Sequence, residues 1–482
     1  MPRLSAVGIS GLQAGEDVNL FHPLSGPCMR RRIAIIGGGA AAASLLCELL
    51  EQPTSTPLHV DWYTGGQTQA RGVAYSTPSS RHLLNVRAAS MGLFGRQRRG
   101  FLEFAQRRAP QTGGTDFLPR SWYGDYLEQE VASALALGKT HGHDVHVIPF
   151  AVDALVPERD GISVMHGEEC HQADAAVLAL GSLPPRPLAA VSAAARASGR
   201  YVIDPWKFLD DPGEFRHAPR KVVLIGMGLT AVDVLLELAD RWPQTSFTAL
   251  SRHGLLPEVH LRHAAAPADD GAELIDAMRD APDVCKWMRL LREAMAQEPD
   301  WRTVIDGLRP HSPSLWSELS LAQRARFLRH ANWAWQRARH RMPPQLLEQV
   351  SALERDGRLQ RKRGRVRAVD VTTGGLQVTV DNAAMPEQLD AELVIQTTGL
   401  DTDVRPSEHR LISQLLTNAH ITPDPLGLGL VTTLDGRLLR DGNPWPHLFA
   451  IGSLMRGTLW ESTAIPEIRQ QARQLAERLR GA

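Results

Sequence analysis

The stretch 33–50, IAIIGGGAAAASLLCELL, sets the strongest limit on what this chain can fold into. It predicts a buried strand at 33–36, a turn at Gly37-Gly38-Gly39 and a helix over about 40–51. In such a unit Gly37 permits the tight turn, and Gly39 lets the backbone approach a pyrophosphate. The phosphates then meet the free N–H groups and positive end of the helix. Ala42 takes the third glycine position, where a small residue lets helix and strand pack closely. The flanking strand and helix give the glycine spacing its meaning. The bland alternative is a glycine-rich turn in a βαβ unit that binds nothing.

The pattern returns at 221–231, KVVLIGMGLTA, again strand, glycine turn and helix. Here Gly226, Gly228 and Ala231 hold the three spaced positions, with Thr230 beside them. The second strand of this unit, at 246–250, runs into Ser251-Arg252-His253 with no acid at its end. A basic residue there suits a 2′-phosphate, so spacing favours NADPH over NADH. Otherwise Arg252 is a solvated surface charge. In the first unit the strand at 59–63 ends in Tyr63-Thr64, where an acid usually holds a ribose hydroxyl. Either the earlier Asp61 substitutes, or a backbone or hydroxyl contact holds the ribose. Each unit continues with a β-meander turning at glycine (Gly161, then Gly374-Gly375). An apolar strand ending in Gly181 or Gly399 follows. Two dinucleotide-binding units in one chain imply two nucleotides working together, and the usual pair is FAD with NADH or NADPH.

The expected fold class is α/β, with two Rossmann-like dinucleotide-binding domains on a glutathione-reductase-like flavoprotein plan and a helical insertion. A chain of 482 residues suits two domains. The expected division is a flexible extension at 1–30 and a FAD-binding domain at 31–215. A NAD(P)H-binding domain follows at 216–390, with the Trp- and Arg-rich helical insertion at 255–350. The FAD-binding domain then resumes at 391–482. Met29, before Arg30-Arg31-Arg32, is an alternative start, and 1–30 has no continuous apolar core of a signal peptide. Lys plus Arg and Asp plus Glu balance at 53 each, so no global field points to nucleic acid or an anionic membrane. No apolar run is long enough to span a bilayer. Cys28, Cys47, Cys170 and Cys285 form no CxxC pair, which fits a reducing cytoplasm. His141, His143 and His146 read as an exposed turn and not a metal site. Neither a GxSxG elbow nor a Walker lysine pattern occurs.

Several further motifs share one likeness. They are RGVAYS (71–76), HLLNV (82–86), the Pro119-Arg120, Tyr123-Gly124 and Tyr126 run, and DPW (204–206). To these add GMGLTAVD (226–233) and RGTLWESTAIPEIRQQA (456–472). Together they resemble a group of bacterial FAD/NAD(P)-binding monooxygenases, from about residue 31 to 478. The group includes a FAD-dependent urate hydroxylase and amino-acid N-hydroxylases that make nitrosuccinate. The resemblance implies FAD at Gly37, Gly39 and Ala42, with contacts from Asn85 and Val86 of HLLNV. It also implies contacts from Gly452, Thr463 and Pro466 in the 452–467 region. NAD(P)H would lie at Gly226, Gly228 and Ala231. Ser453 stands where many flavoproteins carry a ribityl-binding Asp.

The activity so implied is an NAD(P)H-consuming oxygenation with O2 through a flavin hydroperoxide. Urate hydroxylation to 5-hydroxyisourate in purine breakdown leads, and aspartate-type amino-acid N-hydroxylation is the alternative. A non-catalytic flavin- or nucleotide-binding protein is a third reading. A helix N-terminus at 464–467 would face the negative charge of reduced flavin. An anionic substrate needs bidentate cations. The candidates are Arg87 and Arg120 in loops, and Arg309, Arg329, Arg337, His340 and Arg341 in the insertion. Arg120, Arg341 and Glu461 are the expected catalytic residues. Glu461, Glu467 and Arg469 could equally form a local ion pair. Trp316, Trp333 and Trp335 read as core. The oligomeric state stays open.

Overall fold

The computed structural model describes residues 30–66, 69–261, 271–382 and 385–481. The expected extension, all but Arg30, and the alternative start at Met29 lie outside the described residues.

The first sheet has six strands in the order Arg437–Arg440, Asn443–Ala450, Ala175–Leu178, Arg31–Ile36, Leu58–Tyr63 and Asp144–Ile148. All neighbours run parallel except the outer pair, Arg437–Arg440 with Asn443–Ala450. The central strand is apolar on both faces because both are covered. Ile33 and Ile35 enter a core with the helices Ala40–Leu50, Arg120–Thr140 and Ile465–Leu479. Ala34 and Ile36 face the antiparallel meander Ala154–Pro157, Ile162–His166, Glu169–Ala173 and the helix Arg410–Thr417.

The second sheet is parallel throughout, in the order Leu359–Arg363, Ser246–Ser251, Lys221–Ile225, Leu393–Gln396 and Tyr201–Val202. The helices Leu229–Arg241 and Pro344–Arg355 cover one face, and a second meander, Arg365–Thr372, Gly375–Asp381, Glu387–Ala391, covers the other. Each unit thus repeats a mainly parallel sheet, a meander and an apolar strand beside the glycine strand. The expected α/β plan of two Rossmann-like units is the observed one. The sheets divide the chain elsewhere than at 215 and 390. Tyr201–Val202 and Leu393–Gln396 pair with each other in the second sheet, so that sheet reaches beyond both expected limits.

The chain passes between the units twice, and the passages pair through an antiparallel bridge from Leu183 to Asp401. Arg186 pairs with Asp401 alongside. The motif segments 71–76 and 82–86 differ in form. Gly72–Tyr75 is a short helix, while 82–86 stays irregular. In the insertion, the helices from Ala272–Asp280 to Asn332–Arg339 pack around Trp287, Trp316 and Leu315, joined by Trp460 from the C-terminal region. Helix Pro344–Arg355 instead joins the core of the second sheet. Among the described residues no helix is long and apolar enough to cross a membrane.

Candidate active site

The two glycine turns are built alike. Gly37 has φ +129° and donates its N–H to the Tyr63 carbonyl at 2.8 Å. Gly226 has φ +123° and donates to the Leu250 carbonyl at 2.8 Å. A Cβ on Gly37 would lie 2.3 Å from the Ala179 carbonyl oxygen, and one on Gly226 would lie 2.5 Å from that of Thr397. Each glycine is therefore wedged between the two strands flanking its own, where no other residue fits.

The helices that follow, Ala40–Leu50 and Leu229–Arg241, begin at Gly39 and Gly228. Neither has a side-chain cap or an acid in its first turn. Five other helices are capped by Ser192, Asp204, Asp283, Asp300 and Ser320, while some, such as Arg120–Thr140 and Arg410–Thr417, are not. The glycine-led helices thus keep their first N–H groups and positive ends open to an anion.

A cavity of about 560 Å³ lies against the first turn. Gly37, Gly39, Tyr63, Thr64, Gly181, Gly452 and Thr463 all line it, so the structure gathers most of the expected FAD contacts at one place. Ala42 sits behind them, fully buried in the core. Pro466 lies one residue into the helix Ile465–Leu479, whose Ile468 lines the cavity. The Tyr63 hydroxyl is buried with no hydrogen-bond partner among the described residues, and burial pushes its ionisation upward. Asp61 is not at the cavity. Its buried carboxylate takes contacts from His59 Nε2 at 3.1 Å and His146 Nδ1 at 3.4 Å. Of the two, Thr64 lines the cavity and Asp61 does not. Asn85 and Val86 do not line the cavity either. The Asn85 carbonyl faces His260 Nε2 at 3.0 Å, and Val86 packs on the core of the first sheet.

A second cavity, of about 360 Å³, lies against the second turn. Gly228, Thr230, Arg252, His253, Trp333 and His340 line it. Gly226 and the buried Ala231 stand behind. Arg252 is exposed at the rim, and the His253 ring stacks on Trp333 with centroids 4.1 Å apart.

The insertion lines the second cavity and also meets the C-terminal region. His340 lines the second cavity, while its neighbour Arg339 turns toward the C-terminal region beside the first. Arg339 lies 3.3 Å from Glu461 and 3.8 Å from Glu467. Glu461 also accepts from Trp335 Nε1 at 3.0 Å, and Arg309 grips Glu467 with two bonds of 2.6 and 2.9 Å. Arg339 is 6% exposed, and its Nε finds no hydrogen-bond partner among the described residues. Burial lowers the Arg339 pKa and holds His340 near 3, with Arg339, Arg456 and Arg309 adding to the second effect. His340 is therefore neutral. Before Glu461, Trp460 adopts φ +59°. Stacking on Trp316 at 4.7 Å, and the 2.8 Å bond from Trp316 Nε1 to the Gly457 carbonyl, hold that unfavourable conformation.

The remaining expected residues are dispersed. Arg120 bonds the Leu83 carbonyl at 3.2 Å and the buried Asp233 at 2.8 Å, which makes it a pin between the units. Arg341 is buried and pairs with Asp306, near His260 and Arg87. Arg337 pairs with Glu258 at 2.6 Å, Arg329 is exposed, and Arg469 bonds the Ser90 and Gly92 carbonyls. Gly399 lies next to Leu400, which lines the first cavity. His141 and Gly142 form the expected turn, but His141 is only half-exposed and His143 is buried, and both rings bond backbone. Arg339 is not among the expected catalytic residues. Its only signal was its place in an Arg-rich helix beside more obvious candidates.

Residues 34–183 match a family described as FAD-NAD(P)-binding. Comparison with curated proteins returns no sequence match. Among solved structures, the chain is similar to the Kutzneria sp. 744 ornithine N-hydroxylase, with 16% identity, coverage of 94% of this chain and 99% of that one, and a TM-score of 0.64. It is similar to L-lysine 6-monooxygenase from Pseudomonas syringae at 16% identity, with 94% and 99% covered and a TM-score of 0.65. It is also similar to the FAD-bound cadaverine monooxygenase of desferrioxamine biosynthesis from Erwinia amylovora, at 13% identity, with 94% of each chain covered and a TM-score of 0.63. The chain thus shares its fold with these monooxygenases over nearly its whole length, and its first glycine turn lies within a stretch matched as FAD-NAD(P)-binding.

Proposed function

We propose that this chain is an FAD-dependent, NADPH-consuming monooxygenase that hydroxylates the nitrogen of an amino acid or amine. The observation that carries this reading is the pair of cavities against two equivalent glycine turns, one at Gly37-Gly39 and one at Gly226-Gly228. FAD fits the first: its diphosphate would rest on the open N–H groups after Gly39, with Thr64 toward a ribose and Gly452 and Thr463 across the cavity. NADPH fits the second: its diphosphate would meet the helix after Gly228, and Arg252 would face the 2′-phosphate. Bound together, the two cofactors would supply the electrons and the activation of O2.

The chain's own residues orient the substrate and exclude water. Arg339 is a buried cation with donor capacity unspent, beside Glu461 and Glu467. That environment suits a substrate that carries both a carboxylate and a basic nitrogen, the first on Arg339 and the second toward an acid. The aromatic packing of Trp316, Trp335 and Trp460 keeps the neighbourhood dry. The similar N-hydroxylases act on ornithine, lysine and cadaverine, which supports the amino-acid N-hydroxylase alternative over urate. The urate reading rests on the sequence resemblance alone.

The test is NADPH oxidation by the FAD-loaded chain with ornithine, lysine, aspartate, cadaverine, urate or no substrate, with N-hydroxylated product assayed. An amine substrate should speed oxidation and yield hydroxylamine product. A chain that takes up no FAD, or that consumes urate while ignoring every amine, overturns the proposal.

A further inference from the structure

We propose that His59, Asp61 and His146 form a binding site for a divalent transition-metal ion such as Zn2+, with Asp144 orienting both imidazoles. The four residues stand on one face of the neighbouring strands Leu58–Tyr63 and Asp144–Ile148, in the registered pairs His59–Asp144 and Asp61–His146. Register and alternation put them together. Val60, Trp62, Val145 and Val147 point into the core on the opposite face.

The contacts form a closed ring. His59 Nε2 lies 3.1 Å and His146 Nδ1 3.4 Å from the same oxygen of Asp61, Oδ1. The other nitrogen of each ring faces Asp144, at 3.2 Å from His59 Nδ1 and 3.4 Å from His146 Nε2. Each neutral imidazole has one N–H. If both rings give theirs to Asp144, two nitrogen lone pairs and a carboxylate oxygen converge with no proton among them. A cation relieves that convergence.

This is the chemistry of a metal-ligating histidine, whose second nitrogen donates to a carboxylate that fixes the tautomer. Two imidazoles and one carboxylate suit a borderline ion, and tetrahedral zinc ligands at bond lengths of about 2.0–2.2 Å stand roughly 3.4 Å apart. The three candidate donor atoms lie within 4.8 Å of one another. His146 is 55% exposed on its side chain, so the ion has a path in and water a coordination position. Arg30, 3.3 Å from Asp144, balances that outer carboxylate.

The site would clamp the sheet's edge strand to the strand that delivers Tyr63 and Thr64 to the first cavity. It does not depend on the oxygenase reading. A second cluster of metal-ligand types, His166, Glu169 and His171, lies on the neighbouring meander and provides the control.

The experiment titrates ZnCl2 into the full chain after chelator treatment, by calorimetry, and follows the visible absorption of bound Co2+. We expect one equivalent to bind. His146→Ala and Asp61→Asn should each weaken it at least tenfold, Asp144→Asn should weaken it by less, and His171→Ala should leave it unchanged. Because His146 is largely exposed, His146→Ala removes a ligand without opening the core, and circular dichroism checks its fold. A folded chain that binds no Zn2+, or whose Zn2+ binding survives His146→Ala and disappears in His171→Ala, overturns the proposal.

Discussion

Arg120 reaches across the boundary between the two units to Asp233, 2.8 Å away in the helix that follows the second glycine turn. Asp233 is 3% exposed, and burial pushes its carboxyl above its ordinary pKa while Arg120 and His82 pull it down. Ser79 and Arg81 bond Glu237 and Asp240 of the same helix, so the pair anchors a seam. Removing one partner strands a buried charge, at a cost of about 3 kcal/mol. Arg120→Ala and Asp233→Ala should each lower the unfolding free energy by that amount in urea titrations. Both should leave the kcat of the folded fraction within about twofold. A large fall in kcat for Arg120→Ala alone would return Arg120 to the catalytic set.

The two glycines of the first turn should fail in different ways. Gly37→Ala forces a Cβ to 2.3 Å from a carbonyl oxygen at φ +129°, so the variant should be destabilised by several kcal/mol, seen as poor soluble yield and an early melt. Gly39 has φ −94°, and its Cβ would only touch Gly72 at 3.6 Å. Gly39→Ala should fold normally but bind FAD roughly tenfold or more weakly by flavin fluorescence titration, because the methyl group enters the phosphate approach.

The proposed phosphate contact of Arg252 predicts a difference between the two nicotinamide cofactors. Arg252→Ala should raise KM for NADPH about tenfold, the loss of roughly 1.4 kcal/mol, and leave KM for NADH nearly unchanged. Equal effects on both cofactors would remove the phosphate contact.

Arg339 is the test of substrate anchoring. Arg339→Met keeps an unbranched stem at this position and deletes the guanidinium with its charge. We expect KM for the preferred amino acid to rise at least tenfold, with FAD affinity unchanged, in steady-state NADPH assays. For a substrate without a carboxylate, such as cadaverine, the rise should be absent.

Two histidines predict how stability responds to acid. Burial first, and then neighbouring arginines, hold His260 and His340 near a pKa of about 3. Unfolded, each titrates near 6.5. Between these values the unfolded chain binds more protons, so stability rises with pH there. The contribution is complete above about pH 6.5 and is lost as pH falls toward 3, by up to about 1.4 kcal/mol per pH unit for each ring. Thermal melts from pH 7 to pH 4 should fall more steeply for the native chain than for His260→Gln/His340→Gln.

The glycine turns, their strands and the paired meanders were legible because they are local. Spacing among neighbours fixes them, and Gly37 and Gly226 occupy their predicted places. The roles of charged side chains were not. Arg120 and Arg339 both lie in arginine-containing, partly apolar stretches, and nothing in those stretches says that one meets Asp233 and the other Glu461. Asp61 looked like a displaced ribose ligand because it precedes Tyr63-Thr64 by two residues. In the sheet that offset keeps it on the same face but one pleat away from the cavity, among His59, His146 and Asp144.

By itself the sequence determined two strand–turn–helix units, each with a glycine at its tight turn, because backbone sterics admit no other residue there. Tertiary structure decided what lies between the units. It placed Arg339 against Glu461 and Glu467, held Trp460 in a left-handed conformation with Trp316, and joined the four side chains of the sheet edge. These are contacts between segments distant in sequence, and packing and strand register, not local propensity, select them.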